Sequence, residues 1–353
     1  MTRSRAVLAY AVLAGVAASA AVPTAAGAQG CEPIRFTTPV SLGGEGEAYQ
    51  PAGQWRVTLA YRKLLSNQWF IGTERADDLA PGGVAPRFSI HTVIADVSYS
   101  FNDRFRARVS VPYSTGSFER KWPDSLFHEQ TASGIGDVTV LGEAWILEPL
   151  THRRGNIGVG LGIKAPTGSH TRPSQFYTTS GPVDFPADQT IQPGDGGWAI
   201  LAQLQGFRQL SSRTALYGFG SYMISPKAQS DVSNSPTSTQ LWSVPDVYSL
   251  RAGAAFDLLP DQGLSVSLGA RVDGIPVRDL IGGGDEETIK RSSYIIFVDP
   301  GLAFTQGKNS FTLSVPYRVK LKRTASLAEQ AGLGPTAGGF AQYLVFASYS
   351  RRF

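Results

Sequence analysis

Residues 91–113 read HTVIADVSYSFNDRFRARVSVPY, two alternating runs facing each other across Asn102-Asp103. In the first, Val93, Ala95, Val97, Tyr99 and Phe101 alternate with Thr92, Ile94, Asp96, Ser98 and Ser100. In the second, Phe105, Ala107, Val109, Val111 and Tyr113 alternate with Arg106, Arg108, Ser110 and Pro112. Strand side chains point to opposite faces with period two. The pattern therefore predicts a hairpin with one apolar face and one face carrying Asp96, Arg106 and Arg108. Asn and Asp suit the tight connection. One such hairpin would also fit a half-buried sheet in a soluble protein. The pattern, however, recurs to the last residue in runs of membrane-spanning length.

The first run is 54–62, with Trp55, Val57, Leu59 and Tyr61 on one side. After the hairpin come 136–147 and 156–167. In the latter, Ile157, Val159, Leu161, Ile163 and Ala165 oppose Gly158, Gly160, Gly162 and Lys164. Alternate glycines imply that neighbouring side chains or a plug approach that face closely. Runs 198–207 and 214–222 pair, as do 246–258 with 264–273 and 294–305 with 310–320, and 340–353 ends the chain. Connections at 63–88, 114–133, 168–197, 225–245, 274–292 and 321–339 are long, and those between are short. Even strand number with alternating short and long connections predicts an all-β fold, a transmembrane antiparallel up-and-down β-barrel of about 12 strands. The short turns would be periplasmic and the long loops extracellular. A soluble β-sandwich is the alternative fold, and the regular strand length and loop asymmetry count against it.

Composition narrows the class. Of 353 residues, 42% are hydrophobic and only 17% charged, low for a soluble protein. Beyond the N-terminus no apolar run of about 18 residues appears, so only a closed barrel would cross a bilayer. Residues 1–28 read as a signal peptide: Arg3 and Arg5, an apolar stretch at 6–21, then Ala26-Gly27-Ala28. Residues 29–53 form a Gly/Pro/Glu-rich periplasmic or lumenal tail, and 54–353 the outer-membrane barrel. Loss of Arg3 and Arg5 with the leader lowers the net charge from +4 to +2, too balanced to argue for nucleic acid. Cys31 is the single cysteine, so no intrachain disulfide forms. It sits where a lipidated cysteine would. Ala28-Gln29-Gly30, however, lacks the usual context, leaving a free thiol or a bond to another chain as the expectation.

The polar parity collects Arg56, Asp96, Arg106, Arg108, Asp137, Glu143, Lys164, Arg251, Arg271, Asp273, Arg318 and Lys320 as expected lumen-lining residues. An Arg or Lys facing lipid at mid-membrane would cost roughly 2–4 kcal/mol, which explains the segregation. Two readings follow. The charges line a small pore for polar or anionic solutes, or they pair and close a narrow lumen. A barrel of about 12 strands lies between the filled and the open sizes. Trp69, Phe70, Phe176 and Tyr177 in the long loops are candidates for an aromatic mouth. Asp285, Glu286 and Glu287 follow Gly282, but no calcium-loop spacing is present. No metal or other cofactor is expected. Gly134-Ile135-Gly136-Asp137 lacks the strand-then-helix context of a phosphate loop. His91 and Ser89 are the only nucleophile–base pairing, of the sort lipid-active barrel enzymes use, and no third orienting group accompanies them. No enzyme activity is expected. The last strand places Tyr343, Val345, Ala347, Tyr349 and the terminal Phe353 on one face. That ending resembles the signature read by the barrel-assembly machinery, an expected partner alongside outer-membrane lipid and small solutes.

Residues 134–168, GIGDVTVLGEAWILEPLTHRRGNIGVGLGIKAPTG, carry a family likeness. A G-x-G-D strand, a short turn and a glycine-alternating strand ending in K-x-P-T-G resemble the outer-membrane proteins grouped as the MetA-pathway of phenol degradation family. The matching residues are Gly134, Gly136, Asp137, Lys164, Pro166, Thr167 and Gly168, and Val111-Pro112-Tyr113 ahead of them also fits. The motif covers about a tenth of the chain, and the barrel pattern extends the likeness over 54–353. The resemblance implies a barrel that passes hydrophobic or aromatic compounds inward across the outer membrane. It brings no catalytic residues.

Overall fold

The computed structural model describes residues 49–282, 287–333 and 336–353. The leader, Cys31, most of the tail and Asp285-Glu286 lie outside these. Twelve staves close into one antiparallel barrel. The first three are β1 (Trp55–Ser66), β2 (Arg87–Ser100) and β3 (Phe105–Lys121). The fourth is broken into β4 (Phe127–Ile135) and β5 (Val138–Trp145), and the fifth is β6 (Gly155–Ala165). A loop hairpin, β7 (Pro173–Thr178) and β8 (Gly181–Pro186), precedes β9 (Ala199–Gln209) and β10 (Thr214–Ile224). Then come β11 (Val247–Leu259), β12 (Leu264–Ile275) and β13 (Ser293–Gln306). The eleventh stave is split into β14 (Asn309–Ser314) and β15 (Tyr317–Arg323), and β16 (Tyr343–Arg352) is the twelfth. β16 pairs with β1 from Arg56↔Arg352 to Leu65↔Tyr343, so the sheet has no free edge and its ladder groups are satisfied internally.

Side-chain parity is the reverse of a water-soluble core. Val109 and Leu268 point outward and are 40% and 61% exposed, while Asp273 and Lys164 point inward and are 0% exposed. Aromatic side chains stand on the outer face near the strand ends: Trp55, Tyr99 and Phe101 form a chain of ring contacts at the short-turn end. Phe311 and Tyr349 pack 4.8 Å apart at the same end. An apolar band with aromatic margins is the surface a bilayer selects.

The short turns follow local chemistry. Asn102 Oδ1 accepts from the backbone N–H of Arg104 and of Phe105, both at 2.9 Å, which closes the β2–β3 turn. Gly263, at φ 73, closes the β11–β12 turn, where an added Cβ would meet the Thr305 carbonyl at 1.8 Å. No other residue fits there.

Three places depart from simple alternation. Residues 114–133 are not a loop: β3 runs on to Lys121 and pairs with β4 from Tyr113↔Ile135 to Lys121↔Phe127. Its serines, Thr115 and Gly116 conceal the period that buried Phe118, Arg120 and Trp122 continue. Gly136 and Asp137 are consecutive buried residues, a bulge that joins β4 to β5. Pro316, which has no N–H to give a ladder, separates β14 from β15. Just beyond, Phe297 pairs with Arg318 but Ile296 pairs with Lys320, so Val319 is an extra residue. The bulge turns Lys320 to the outer face, where it is exposed beside outward-facing Ile296. The expectation that Lys320 lines the lumen is therefore corrected.

Candidate functional site

The interior has three levels. At the short-turn end, the described part of the tail reaches the lumen mouth. The Tyr49 ring lies 5.1 Å from Trp145 and 5.5 Å from Phe207, both inward-facing. Tyr49 Oη donates to the His152 carbonyl at 2.8 Å. Gln50 is buried and accepts from Ser98 Oγ at 3.1 Å.

Charged pairs hold the middle. Arg106 grips Glu143 with two hydrogen bonds of 2.8 and 3.0 Å. Arg108 lies 3.8 Å from the same carboxylate and donates to Gln203 Oε1 at 3.2 Å from across the lumen. Arg56 is half-buried on the inward parity of β1 near this end. Asp96 accepts a short hydrogen bond from Ser110. On the opposite wall Arg271 Nε donates to Asp273 at 2.8 Å, and Ser249 reaches the other oxygen at 2.7 Å. Arg251 Nε sits 2.6 Å from Asp299, an ion pair without hydrogen-bond alignment. Arg251 and Arg271 also lie over Tyr217 and Phe346 at 5.3 and 4.6 Å. Eleven of the twelve expected lumen residues thus lie on the inward side, Lys320 being the exception. Most are paired rather than open to solvent.

Five of the seven motif residues, Gly136, Asp137, Lys164, Thr167 and Gly168, meet in one cluster that ties a loop to the wall. Lys164, with no exposed side-chain surface, lies between Asp137 at 3.2 Å and Asp195 in closer contact. Asp137 accepts from the backbone N–H of Gly168 at 2.9 Å and of Asp195 at 3.2 Å. Thr167 Oγ1 donates to the Gly136 carbonyl and accepts from Val138 N–H, both at 2.9 Å, bridging the bulge. A Cβ on Gly168 would lie 2.9 Å from the backbone of Gly136 and of Gly194, so three chain segments cross where only glycine fits. A Cβ on Gly134 would lie 2.8 Å from the Arg172 guanidinium, the movable end of a long side chain. Pro166, between Lys164 and Thr167, ends β6. The motif's work is to hold residues 194–197 against the inner wall. Sequence periodicity does not reveal this, because Asp195 lies in an irregular loop.

At the long-loop end a buried apolar cluster stands beside the buried ion pairs of Lys290 with Asp279 and of Arg323 with Glu329. Trp69, Phe70, Phe88, Phe118, Ile191 and Phe340 belong to one buried cluster. Trp69, Phe70 and Phe176 are interior residues, not an exposed aromatic mouth; Tyr177 is half-buried, stacked on His128 at 3.6 Å. Arg318 braces this level. It donates to the carbonyls of Phe340 and Ala341 at 3.2 and 3.0 Å and to Gln342 Oε1 at 2.9 Å, and it lies 4.5 Å over Phe70. Asp188, in the loop after β8, has its carboxyl pushed above the usual carboxylate range by burial.

On the outer face His91 Nδ1 is 2.7 Å from Tyr61 Oη, and its Nε2 is 3.3 Å from Ser89 Oγ. Among the described residues no carboxylate is hydrogen-bonded to this group to complete a triad. Among the described residues no cluster of three or more His, Cys, Asp or Glu side chains is arranged to hold a metal ion.

No family model matches the sequence, and no curated protein matches it. Solved structures do. An outer membrane channel from Pseudomonas putida F1 superposes with a TM-score of 0.60 at 13% identity, covering 90% of this chain and all of that one. The toluene transporters of P. putida and Ralstonia pickettii match at TM-scores of 0.43 and 0.41, with 9% and 10% identity. They cover 88% and 86% of this chain and 93% and 90% of their own. The first likeness supports the barrel fold.

Proposed function

We propose that the protein is an outer-membrane channel that passes small solutes inward, hydrophobic and aromatic compounds among them, by passive diffusion. The carrying observation is the inverted barrel: leucines and valines outside, a paired ionic wall inside, and a buried apolar cluster at the long-loop end. The likeness to an outer membrane channel agrees with this. The likeness in 134–168 to the phenol-degradation family supports an aromatic cargo. On this reading the long loops face outward, residues 1–28 are an export signal, and the strand ending at Phe353 is presented to the barrel-assembly machinery. Arg56, Asp96, Arg106, Arg108, Asp137, Glu143, Lys164, Arg251, Arg271, Asp273 and Arg318 line or brace the path. The work is transport, not catalysis.

One observation favours a second reading, a surface or structural barrel with a blocked lumen. Tyr49 and Gln50 occupy one mouth, and residues 194–197 lie along the wall. Planar-bilayer recording of the purified protein decides between the two. Reproducible current steps altered by Arg108→Ala support the channel. Absence of current together with absence of solute uptake into liposomes supports the blocked barrel.

A further inference from the structure

Across β9 to β12 the outer wall carries a row without large side chains. Gly206 pairs with Gly218, Gly218 with Ala252, and Ala252 with Ala270. The flanking rows are large: Leu204, Leu250 and Val272 on the long-loop side, Arg208 and Leu216 on the short-turn side. Between them lies a depression of about 610 Å³. With neighbouring strands 4.7–4.9 Å apart, the row is about 14 Å long. The volume is within the roughly 300–1,000 Å³ of small-ligand sites. An inverted barrel turns this face to hydrocarbon, and an unfilled trench there forfeits dispersion contacts that an inserted chain restores.

The β9 end of the trench is cationic. Arg208 lines the depression two residues beyond Gly206 and is exposed. Its stem lies over Gly155, where an added Cβ would be 2.9 Å from Arg208 Cδ. Arg154 is alongside, its carbonyl accepting from the Gln209 N–H at 2.7 Å. Arg153, Arg154, Arg208 and Arg213 are all exposed, and among the described residues none of them makes an ion pair. Glu148 is the single acid in the β5–β6 and β9–β10 turns. A second outer depression, of about 470 Å³ between Leu59, Leu302, Phe311 and Tyr349, has no charged residue in its lining. Apolar relief and unpaired cations coincide at the first depression and not at the second.

The geometry points to a site for one anionic glycerophospholipid of the leaflet on the short-turn side, with an acyl chain in the trench and the phosphate on Arg208. A guanidinium takes phosphate oxygens through paired donors and keeps its charge at headgroup level. Basic residues at a membrane surface draw anionic lipid in preference to neutral or zwitterionic lipid. The trench supplies affinity for any acyl chain, and Arg208 supplies the choice of headgroup. The site needs the barrel to stand in a bilayer, not its lumen to conduct.

The test is native mass spectrometry of the full-length protein released from detergent, with dioleoyl phosphatidylglycerol and dioleoyl phosphatidylcholine as probes at equal concentration. One phosphatidylglycerol is expected to be retained at least fivefold more tightly than phosphatidylcholine. Arg208→Gln should bring the two lipids level. Gly218→Leu fills the trench at a position where a Cβ meets nothing within 4 Å, and should weaken retention of both at least fivefold. Should Gly218→Leu fail to form the heat-modifiable barrel, Ala252→Leu in the same row serves in its place. Equal retention of the two lipids by the unaltered protein overturns the proposal, as does unaltered retention in the filled trench. A preference that survives Arg208→Gln and disappears only when Arg153, Arg154 and Arg213 are all replaced by Gln reports diffuse surface charge, and overturns it too. The readout is lipid mass, so a barrel that carries no current leaves the test intact.

Discussion

Replacing Lys164 by Met should release residues 168–197 from the barrel wall while leaving the barrel closed. Met keeps the length and apolar stem of the side chain but removes the charge. Asp137 and Asp195 are then left facing each other with no cation between them, at a place where Lys164 has no exposed surface. Removing one partner of a buried ion pair typically costs about 3–5 kcal/mol. At about 1.4 kcal/mol per tenfold, local opening of this segment should rise roughly 100- to 3,000-fold. Because the loss is confined to loop contacts, the β1–β16 closure and the heat-modifiable migration of the folded barrel should persist. Hydrogen exchange read by mass spectrometry is the assay, and the reporters are the amides of Gly168, Asp195 and Gly197, each bonded to a carboxylate of the cluster. They should lose protection in Lys164→Met. They should regain much of it when Asp137→Asn and Asp195→Asn are added, since the triple variant has no unpaired charge. Unchanged protection at these amides in Lys164→Met would refute the assignment of the cluster as the loop's anchor.

Tyr49→Ala removes the ring between Trp145 and Phe207, and single-channel conductance should increase if this mouth limits flow. Glu143→Gln strips Arg106 and Arg108 of their common counter-charge, and the ratio of anion to cation permeability in reversal-potential measurements should rise. Gly263→Ala forces a Cβ against the Thr305 carbonyl at φ 73, which should slow assembly and lower the gel-shift temperature of the barrel. Asp188 titrates above its ordinary value, so the folded loop binds its proton more tightly than the unfolded chain does. The associated stability is complete at low pH and is lost as pH rises through the raised value. Proteolysis of 181–191 should therefore quicken from pH 4 toward neutrality, and Asp188→Asn should flatten the profile.

Strand number, closure, parity and the placing of short turns were legible in the sequence because each follows from period-two alternation broken by turn formers. The Val93–Phe101 and Phe105–Tyr113 runs state their pairing outright. What alternation does not encode is insertion. Val319 is one residue too many, and everything after it changes face, so alternation predicts Lys320 inward while it lies outward. The hairpin extension at 114–133 was hidden for a different reason. Beyond the bilayer neither face must be apolar, so Ser114, Thr115 and Ser117 blur the signal that Phe118 and Trp122 carry. The G-x-G-D and K-x-P-T-G motifs stood out as residues, but their function depends on Asp195, some thirty positions on, which only the folded loop brings to Lys164.

An inverted barrel meets hydrocarbon on its outer face and water on its inner one. Single cysteines at Val109, Leu268, Arg108 and Ser267, placed in a Cys31→Ser background, can carry nitroxide labels in reconstituted bilayers. Collision rates with oxygen and with a water-soluble nickel chelate then report the surroundings. Labels at Val109 and Leu268 should favour oxygen, and labels at Arg108 and Ser267 should show none of that preference. Nickel access at Leu268 with oxygen preference at Ser267 would contradict the inverted barrel and everything built on it.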